Sequence, residues 1–326
     1  MRLLKGLIVL ALALLAFIPA QSLAQTNYPI RPIRLVVGFA AGSSGDVAAR
    51  IVSQKLGEIL GRTMIVENRP GASGMVAAEY VARAPKDGYT LLLATIAATI
   101  NATMMPDKGP NFEKDLAPIA LVGSIPNILV VNPKLGVDDV KGLIALAKTR
   151  QEPLLYGASG VGSGPRMAAE LFKQMAGIKM TAVLYPGSAQ TVTDLIAGRI
   201  NVMFSPASTV LGFIREGSVK PLATTEAKRA SAAPDLPTIA EAGLPGYNTG
   251  VWFGILAPAA TPTPIIDKIS NATNQALKDP EVLKQLHTQG LDAIGGSPDD
   301  FRRFIASETE RWASVVHAME PTEQPK

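Results

Sequence analysis

The chain predicts an α/β fold: two similar lobes, each a parallel or mixed sheet flanked by helices, facing each other across a cleft. Three features of the sequence carry that expectation. Short β-branched apolar runs alternate with helix-spaced segments, the order that builds right-handed βαβ units. The alternation restarts near Ile128, so it occurs twice. Each half has one glycine-rich loop where a strand passes into a helix, and ligands of such folds sit beyond the carboxyl ends of the parallel strands.

In the first half, Ile33–Phe39 is a β-branched run that reads as a strand. Gly42-Ser43-Ser44-Gly45 follows. Ala48, Ile51, Val52, Leu56, Ile59 and Leu60 then recur on one face of a helix over Asp46–Leu60, stopped by Gly61. Met64–Glu67 is the next strand, closed by Asn68-Arg69-Pro70-Gly71. Ser73–Ala84 reads as a helix ended by Pro85, and Asp87-Gly88 turns the chain into the strand Thr90–Thr95.

The second half opens with a strand at Ile128–Val131, a helix at Val140–Lys148 and a strand at Leu154–Tyr156. The loop Gly157–Gly164 follows, and Pro165 opens a helix running to Met175, where a proline is tolerated because its missing N–H has no partner in a first turn. Strands at Thr181–Leu184 and Asn201–Phe204 flank a helix over Ser188–Ala197. Leu222–Thr224 and Trp252–Leu256 are further strands, and Pro264–Leu277, Glu281–Gln289 and Pro298–Met319 are terminal helices.

Composition removes much chemistry. With 326 residues, 47% hydrophobic and 18% charged, the chain can bury two sizeable cores and is too apolar for disorder. It has no cysteine, which excludes disulfides, thiol nucleophiles and thiolate metal sites. Its two histidines, His287 and His317, are too few for a multi-histidine metal site. No cofactor and no metal is expected. The net charge of +4 includes no long Lys/Arg run, so the basic pI of 9.2 makes no footprint for nucleic acid.

At the N-terminus, Arg2 and Lys5 precede the apolar run Leu7–Ile18, Pro19 breaks it, and Ser22-Leu23-Ala24 supplies small residues where a signal peptidase reads. Residues 1–24 are expected to be a signal peptide cut after Ala24. The run is shorter than the about 20 residues of a spanning helix, and no cysteine follows the cut to carry a lipid. The product is expected to be secreted, and in a Gram-negative source to reside in the periplasm.

Two loops carry the chemistry: Gly38-Phe39-Ala40-Ala41-Gly42-Ser43-Ser44-Gly45-Asp46 and Gly157-Ala158-Ser159-Gly160-Val161-Gly162-Ser163-Gly164-Pro165-Arg166. Glycines let the backbone turn tightly, while hydroxyls and amide hydrogens converge on an anion at a helix N-terminus. One such loop alone is a flexible turn with a serine cap; two alike, one per lobe, point to a shared anion site. Neither matches a phosphate-binding motif, and no Gly-x-Ser-x-Gly elbow is present. Asp46 is placed to cap its helix and pair with Arg50, ahead of any ligand contact. Arg166 is either a solvated charge or a carboxylate fork. Phe39 is either ligand wall or core. Trp252 and Trp312 read as packing residues, and His317 as a surface residue of the last helix.

Several stretches make the chain resemble the Bug-type periplasmic solute-binding proteins, the extracytoplasmic receptors of tripartite tricarboxylate transporters. They are Pro29-Ile30-Arg31-Pro32-Ile33-Arg34-Leu35-Val36-Val37, Val66-Glu67-Asn68-Arg69-Pro70-Gly71-Ala72 and Asp87-Gly88-Tyr89-Thr90-Leu91-Leu92. Pro237-Thr238-Ile239-Ala240-Glu241-Ala242-Gly243-Leu244-Pro245-Gly246-Tyr247 and Trp252-Phe253-Gly254-Ile255-Leu256-Ala257-Pro258 continue the series, in order, over nearly the whole chain after the leader. The resemblance implies a two-lobed type II binding protein, a Venus flytrap whose two loops and the segment around Phe204-Ser205 line a cleft for a small carboxylate. The chain departs from the family pattern in its first loop, which is usually richer in proline and paired glycines. It also has Arg166 where histidine is common, Ser205 where an acid is common, and Tyr185-Pro186-Gly187 in place of a tyrosine-basic-glycine run.

The resulting expectation is a non-enzymatic, monomeric receptor. Lobe I comprises residues 25–126 plus 223–326 and lobe II residues 127–222, hinged near Val122–Asn127 and Val219–Thr225. It closes on a dicarboxylate or aromatic acid and delivers it to the membrane components of its transporter. Gly42, Ser43 and Ser44 hold one end of the ligand, Ser159, Gly162, Ser163 and Arg166 the other, with Phe39, Asp46, Thr95 and Ser205 as further contacts. The rivals are a secreted α/β serine hydrolase, which the missing elbow and the scarcity of histidine oppose, and a sensor that presents its closed form to a signalling receptor.

Overall fold

A computed structural model describes residues 27–106, 109–160, 162–185 and 187–319, without the side chain of Ser159. The expected signal peptide, residues 1–24, lies outside the described residues. Strands β1 (Ile33–Val37), β2 (Met64–Asn68) and β3 (Thr90–Thr95) run parallel in the order β2-β1-β3. Helix α1 (Ser44–Leu60) joins β1 to β2 and ends where Gly61 takes a left-handed φ of 69°, the conformation a glycine stop supplies without strain. Helix α2 (Met75–Ala82) joins β2 to β3, and α3 (Ala97–Met104) follows β3.

Strand β4 (Leu116–Val131) then runs through both lobes. Residues Leu116–Pro126 pair antiparallel with β9 (Gly250–Pro258), which also pairs antiparallel with β3. From Asn127 onward the partners change: β7 (Val202–Pro206) takes one side, and β8 (Lys220–Thr224) takes the other from Ile128. In the second lobe β5 (Leu154–Ser159) lies parallel between β6 (Met180–Tyr185) and β7. Helices α4 (Val140–Thr149), α5 (Gly164–Ala176), α6 (Ser188–Ile196) and α7 (Ala207–Arg215) cover that sheet. Both sheets are mixed, because β9 is antiparallel to the parallel triplet β2-β1-β3 and β4 to the parallel triplet β6-β5-β7. Helices α8 (Thr263–Ala276), α9 (Pro280–Thr288) and α10 (Pro298–His317) complete the first lobe, with the two-residue strand β10 (Asp292–Ala293) beside β4 at Gly123 and Ser124.

The second sheet buries both faces. Leu129, Val131 and Phe204 share one cluster with Phe172, Ile239, Leu244 and Tyr247. There Phe172 packs against Phe204 and Tyr247 at ring separations of 5.6 and 6.2 Å. Ile128, Val130 and Met203 join the other cluster, which continues into the core of the first lobe. Past the expected lobe boundary at residue 223 the chain still packs on the second sheet. Ile239, Leu244 and Tyr247 pack on the second sheet, Thr224 bridges Thr238, and the chain re-enters the first sheet only at Gly250. An irregular segment has no periodicity by which its lobe could be recognised.

The crossing points are tied together. The Asn127 N–H donates to Thr225 Oγ1 (2.9 Å), the Thr225 N–H to the Asn127 carbonyl (3.0 Å), and the Thr249 N–H to the Thr225 carbonyl (2.8 Å). All three residues are buried. The outgoing strand, the end of β8 and the returning strand thus meet at one buried hydrogen-bonded node.

Trp252 and Trp312 are packing residues, as expected. Trp252 meets Phe301 and Phe304 edge-on at 5.8 and 5.6 Å, and Trp312 Nε1 donates to Glu308 at 3.0 Å. Phe301 reaches the sheet because residue 254 is glycine: a Cβ there would stand 2.1 Å from Phe301 Cζ. Gly254→Ala should therefore cost about 1–3 kcal/mol through overpacking, measured by urea denaturation. A change below about 0.5 kcal/mol, the level of an ordinary surface substitution, would contradict this packing.

Candidate functional site

Strand β1 stops at Val37, two residues before the expected strand end at Phe39, so the first loop begins at Gly38. Ser43 is the N-cap of α1, its Oγ accepting the Asp46 N–H at 3.3 Å, and Ser44 opens the helix. Gly42 has a φ of +80°, and a Cβ there would meet nothing within 4 Å, so it is the backbone turn that calls for glycine.

Asp46 is buried and fully engaged with the loop itself. Its carboxylate accepts from the Gly42 N–H (2.9 Å), from Arg50 Nε and Nη2 (3.0 and 2.9 Å) and from Asn68 Nδ2 (2.9 Å). Asn68 Nδ2 also donates to the Phe39 carbonyl at 3.0 Å, which fixes the loop against β2. Burial pushes the Asp46 pKa up, but these hydrogen bonds and the Arg50 charge outweigh it and hold the carboxyl below its ordinary range. The residue expected among the ligand contacts is placed as the brace of the first loop.

A third loop, not singled out from the sequence, joins the site. The expected helix from Ser73 begins only at Met75, because Gly71, Ala72, Ser73 and Gly74 have φ values of 144°, 45°, 53° and 92°. Two non-glycine residues in left-handed backbone carry strain, which structures retain mostly where a site needs it. Gly38 packs onto this turn so closely that a Cβ would stand 2.6 Å from Gly74 Cα. Phe39, Ser73, Gly74, Thr95, Ala97 and Phe112 help to line one small cavity, ≈ 20 Å³, about the room one water needs. Phe39 lines this cavity and packs against the core of the first lobe. Thr95 ends β3 and accepts the Ala97 N–H at 3.3 Å.

In the second loop, Ser163 caps α5, accepting the Arg166 N–H at 3.4 Å, while its own hydroxyl donates to the Gly160 carbonyl at 3.1 Å. Ser159 ends β5; its side chain lies outside the described residues. This loop meets the first lobe directly. A Cβ on Gly160 would be 3.7 Å from Ser73 Oγ, one on Gly162 would be 2.2 Å from Asn101 Oδ1, and one on Gly164 would be 3.0 Å from Ile96 Cγ2. Asn101, on α3, was also not singled out: it is buried, and neither atom of its amide has a hydrogen-bond partner among the described residues. Its signal in the sequence was one amide in the apolar stretch that follows β3. Ser205, near the carboxyl end of β7, is buried with its hydroxyl equally without a partner there.

Arg166 is buried inside the second lobe. It engages the hydroxyl of Tyr156, which itself donates to Glu170 Oε1, and Lys173 Nζ lies 2.8 Å from Glu170 Oε2. Burial, then the Glu170 charge and hydrogen bond, raise the Tyr156 pKa against the opposing effect of Arg166, so the phenol remains a donor. Both histidines lie on helices far along the chain, His287 on α9 against Asp292 (3.2 Å) and His317 in the last turn of α10.

The bracing role of Asp46 can be tested. Asp46→Asn should lower stability at pH 7 by about 1–3 kcal/mol, since it removes charge-assisted hydrogen bonds from a buried site. A depressed folded pKa contributes stability above the unfolded value of about 3.9, and that contribution is lost as pH falls through the folded value. The difference between wild type and variant in urea unfolding should therefore shrink on acidification. A difference that is absent at pH 7, or independent of pH, would contradict the role.

A model of the tripartite tricarboxylate transporter family receptor matches residues 48–320. Protein BugT of Bordetella pertussis is 35% identical over 299 residues, 91% of this chain and 92% of that protein. Among solved structures, R. palustris Rpa4515 with adipate superposes with a TM-score of 0.83 at 37% identity, covering 89% of this chain and 98% of that one. MatC from Rhodopseudomonas palustris, with bound malate, superposes at 0.78 with 28% identity, covering 88% and 99%. Such neighbours, the periplasmic binding protein BugD among them, have the two-lobed fold of periplasmic binding proteins. This chain belongs to the tripartite tricarboxylate transporter receptor family, as a Bug-type periplasmic solute-binding receptor.

Proposed function

We propose that the protein is a non-enzymatic receptor that closes on a small organic dicarboxylate and delivers it to the membrane components of a tripartite tricarboxylate transporter. The observation that carries this reading is the pairing of two glycine–serine loops, one per lobe, each ending in a serine-capped helix. Such helix starts present free N–H groups and a positive dipole end to an anion. Adipate and malate in the two related structures support a ligand with two carboxylates. Ser44 and the first-loop amides take one end of the ligand, and Gly162 with the second-loop amides the other. Phe39, Thr95 and Ser205 form the wall.

Two of the expected contacts take other roles in this reading. Asp46 shapes the first loop. Arg166, engaged by Tyr156, which itself donates to Glu170, braces the second loop from behind and is not the fork on the ligand. A serine hydrolase is disfavoured because Ser43 and Ser163 serve as helix caps, while both histidines sit on C-terminal helices.

A thermal-shift screen of the chain from Gln25 onward, against mono-, di- and aromatic carboxylates, tests the proposal. A true ligand at about 100 times its Kd should add about 2.7 kcal/mol, raising Tm by about 5–10 °C for lobes of this size. Dicarboxylates should stand out. No shift with any acid of the panel would contradict the proposal.

A further inference from the structure

Asn101 lies within α3, the helix that starts two residues beyond the carboxyl end of β3. It is 0% exposed, and both its amide oxygen and its amide nitrogen are without hydrogen-bond partners among the described residues. Leaving a buried donor or acceptor unmade costs about 1–3 kcal/mol, and buried polar side chains are otherwise nearly always paired. Asn127 shares the property, but it lies at the hinge, within β4 beside β7. Asn101 instead abuts the second loop across the lobe interface, 2.2 Å through Oδ1 and 3.5 Å through Nδ2 from where a Gly162 Cβ would stand. Gly162 is not in left-handed backbone, so its conformation does not require glycine. The contact with the amide does.

We infer that Asn101 is a specificity-determining residue of the cleft, reading a ligand group that both donates and accepts a hydrogen bond, the hydroxyl of a hydroxy acid. The inference rests on the carboxylate-receptor reading above. Hydrogen-bond inventories select the group. An ionised carboxylate only accepts, so it pairs with Nδ2–H and leaves Oδ1 unmade. An ammonium only donates, and leaves Nδ2–H unmade. A hydroxyl satisfies both, whichever way the amide is turned. Sites built around a hydroxyl reject analogues lacking it strongly, because their own polar groups are then left buried and unpaired.

Matched acids that differ by one hydroxyl test the inference: succinate with malate, glutarate with 2-hydroxyglutarate, adipate with 2-hydroxyadipate, titrated by calorimetry. In the best-bound pair the wild type should prefer the hydroxy acid at least about tenfold. Asn101→Leu should bring that ratio to within about twofold while the unsubstituted acid still binds. Gly162→Ala, which keeps the amide but places a methyl against it, should lower the ratio with the fold intact, and it decides the matter if the Leu variant does not fold. A wild type without hydroxyl preference, or a preference that survives both substitutions, overturns the inference and leaves the receptor reading standing. Failure of the wild type to bind any of the six acids overturns the inference, and failure across the whole panel of carboxylates overturns the receptor reading as well.

Discussion

Every feature of the molecule depends on one strand that serves two sheets. Between Pro126 and Asn127, β4 exchanges β9 for β7 and β8 without leaving extended conformation, so the backbone groups on either side of the change keep their partners. The node of Asn127, Thr225 and Thr249 holds the remaining crossings at the same point. In our reading the lobes rotate about this node, whereas each sheet resists deformation because its core is close-packed. The glycine-rich loops sit at the carboxyl ends of β1 and β5, and the second loop meets the first lobe at Ser73, Ile96 and Asn101.

The charges near the loops are largely satisfied within the protein. Asp46 is surrounded by Arg50, Asn68 and Gly42, and Arg166 engages Tyr156, which in turn donates to Glu170. In our reading a ligand carboxylate therefore meets oriented N–H groups, hydroxyls and one amide, set in place before it arrives. Preorganised dipoles of this kind lose little on binding, because neither loop has to be rebuilt around the ligand. The strained turn at Ala72 and Ser73 fits the same picture: it is held in shape by Gly38 on one side and faces Gly160 on the other.

The fold was legible in the sequence wherever a helix or strand buries one face and exposes the other. The bounds of α1, α4 and the three terminal helices follow from apolar spacing, from the caps Ser43, Asp139, Asp279 and Ser297, from a proline in the first turn of each terminal helix and from the Gly61 stop after α1. Periodicity fails where all sides are buried. The strand ending at Thr95 was legible, but the next residues are buried on every side, so no periodicity marks the helix α3 that follows, and this hides Asn101. It fails equally for residues 225–249, whose packing on the second lobe depends on single anchors such as Tyr247. Within the site, the serine caps were readable because N-capping is local. The engagement of Arg166 was not read, because Tyr156 reaches it only through the β5–α5 packing.

The central claim is that the two lobes rotate about the β4 node and close on the ligand. Small-angle X-ray scattering of the protein from Gln25 onward, with and without a saturating acid already shown to bind, measures this most directly. Closure of two lobes should shorten the maximum dimension and lower the radius of gyration on binding, as hinge motion between domains does. Superimposable scattering curves for the free and the saturated protein would contradict the claim.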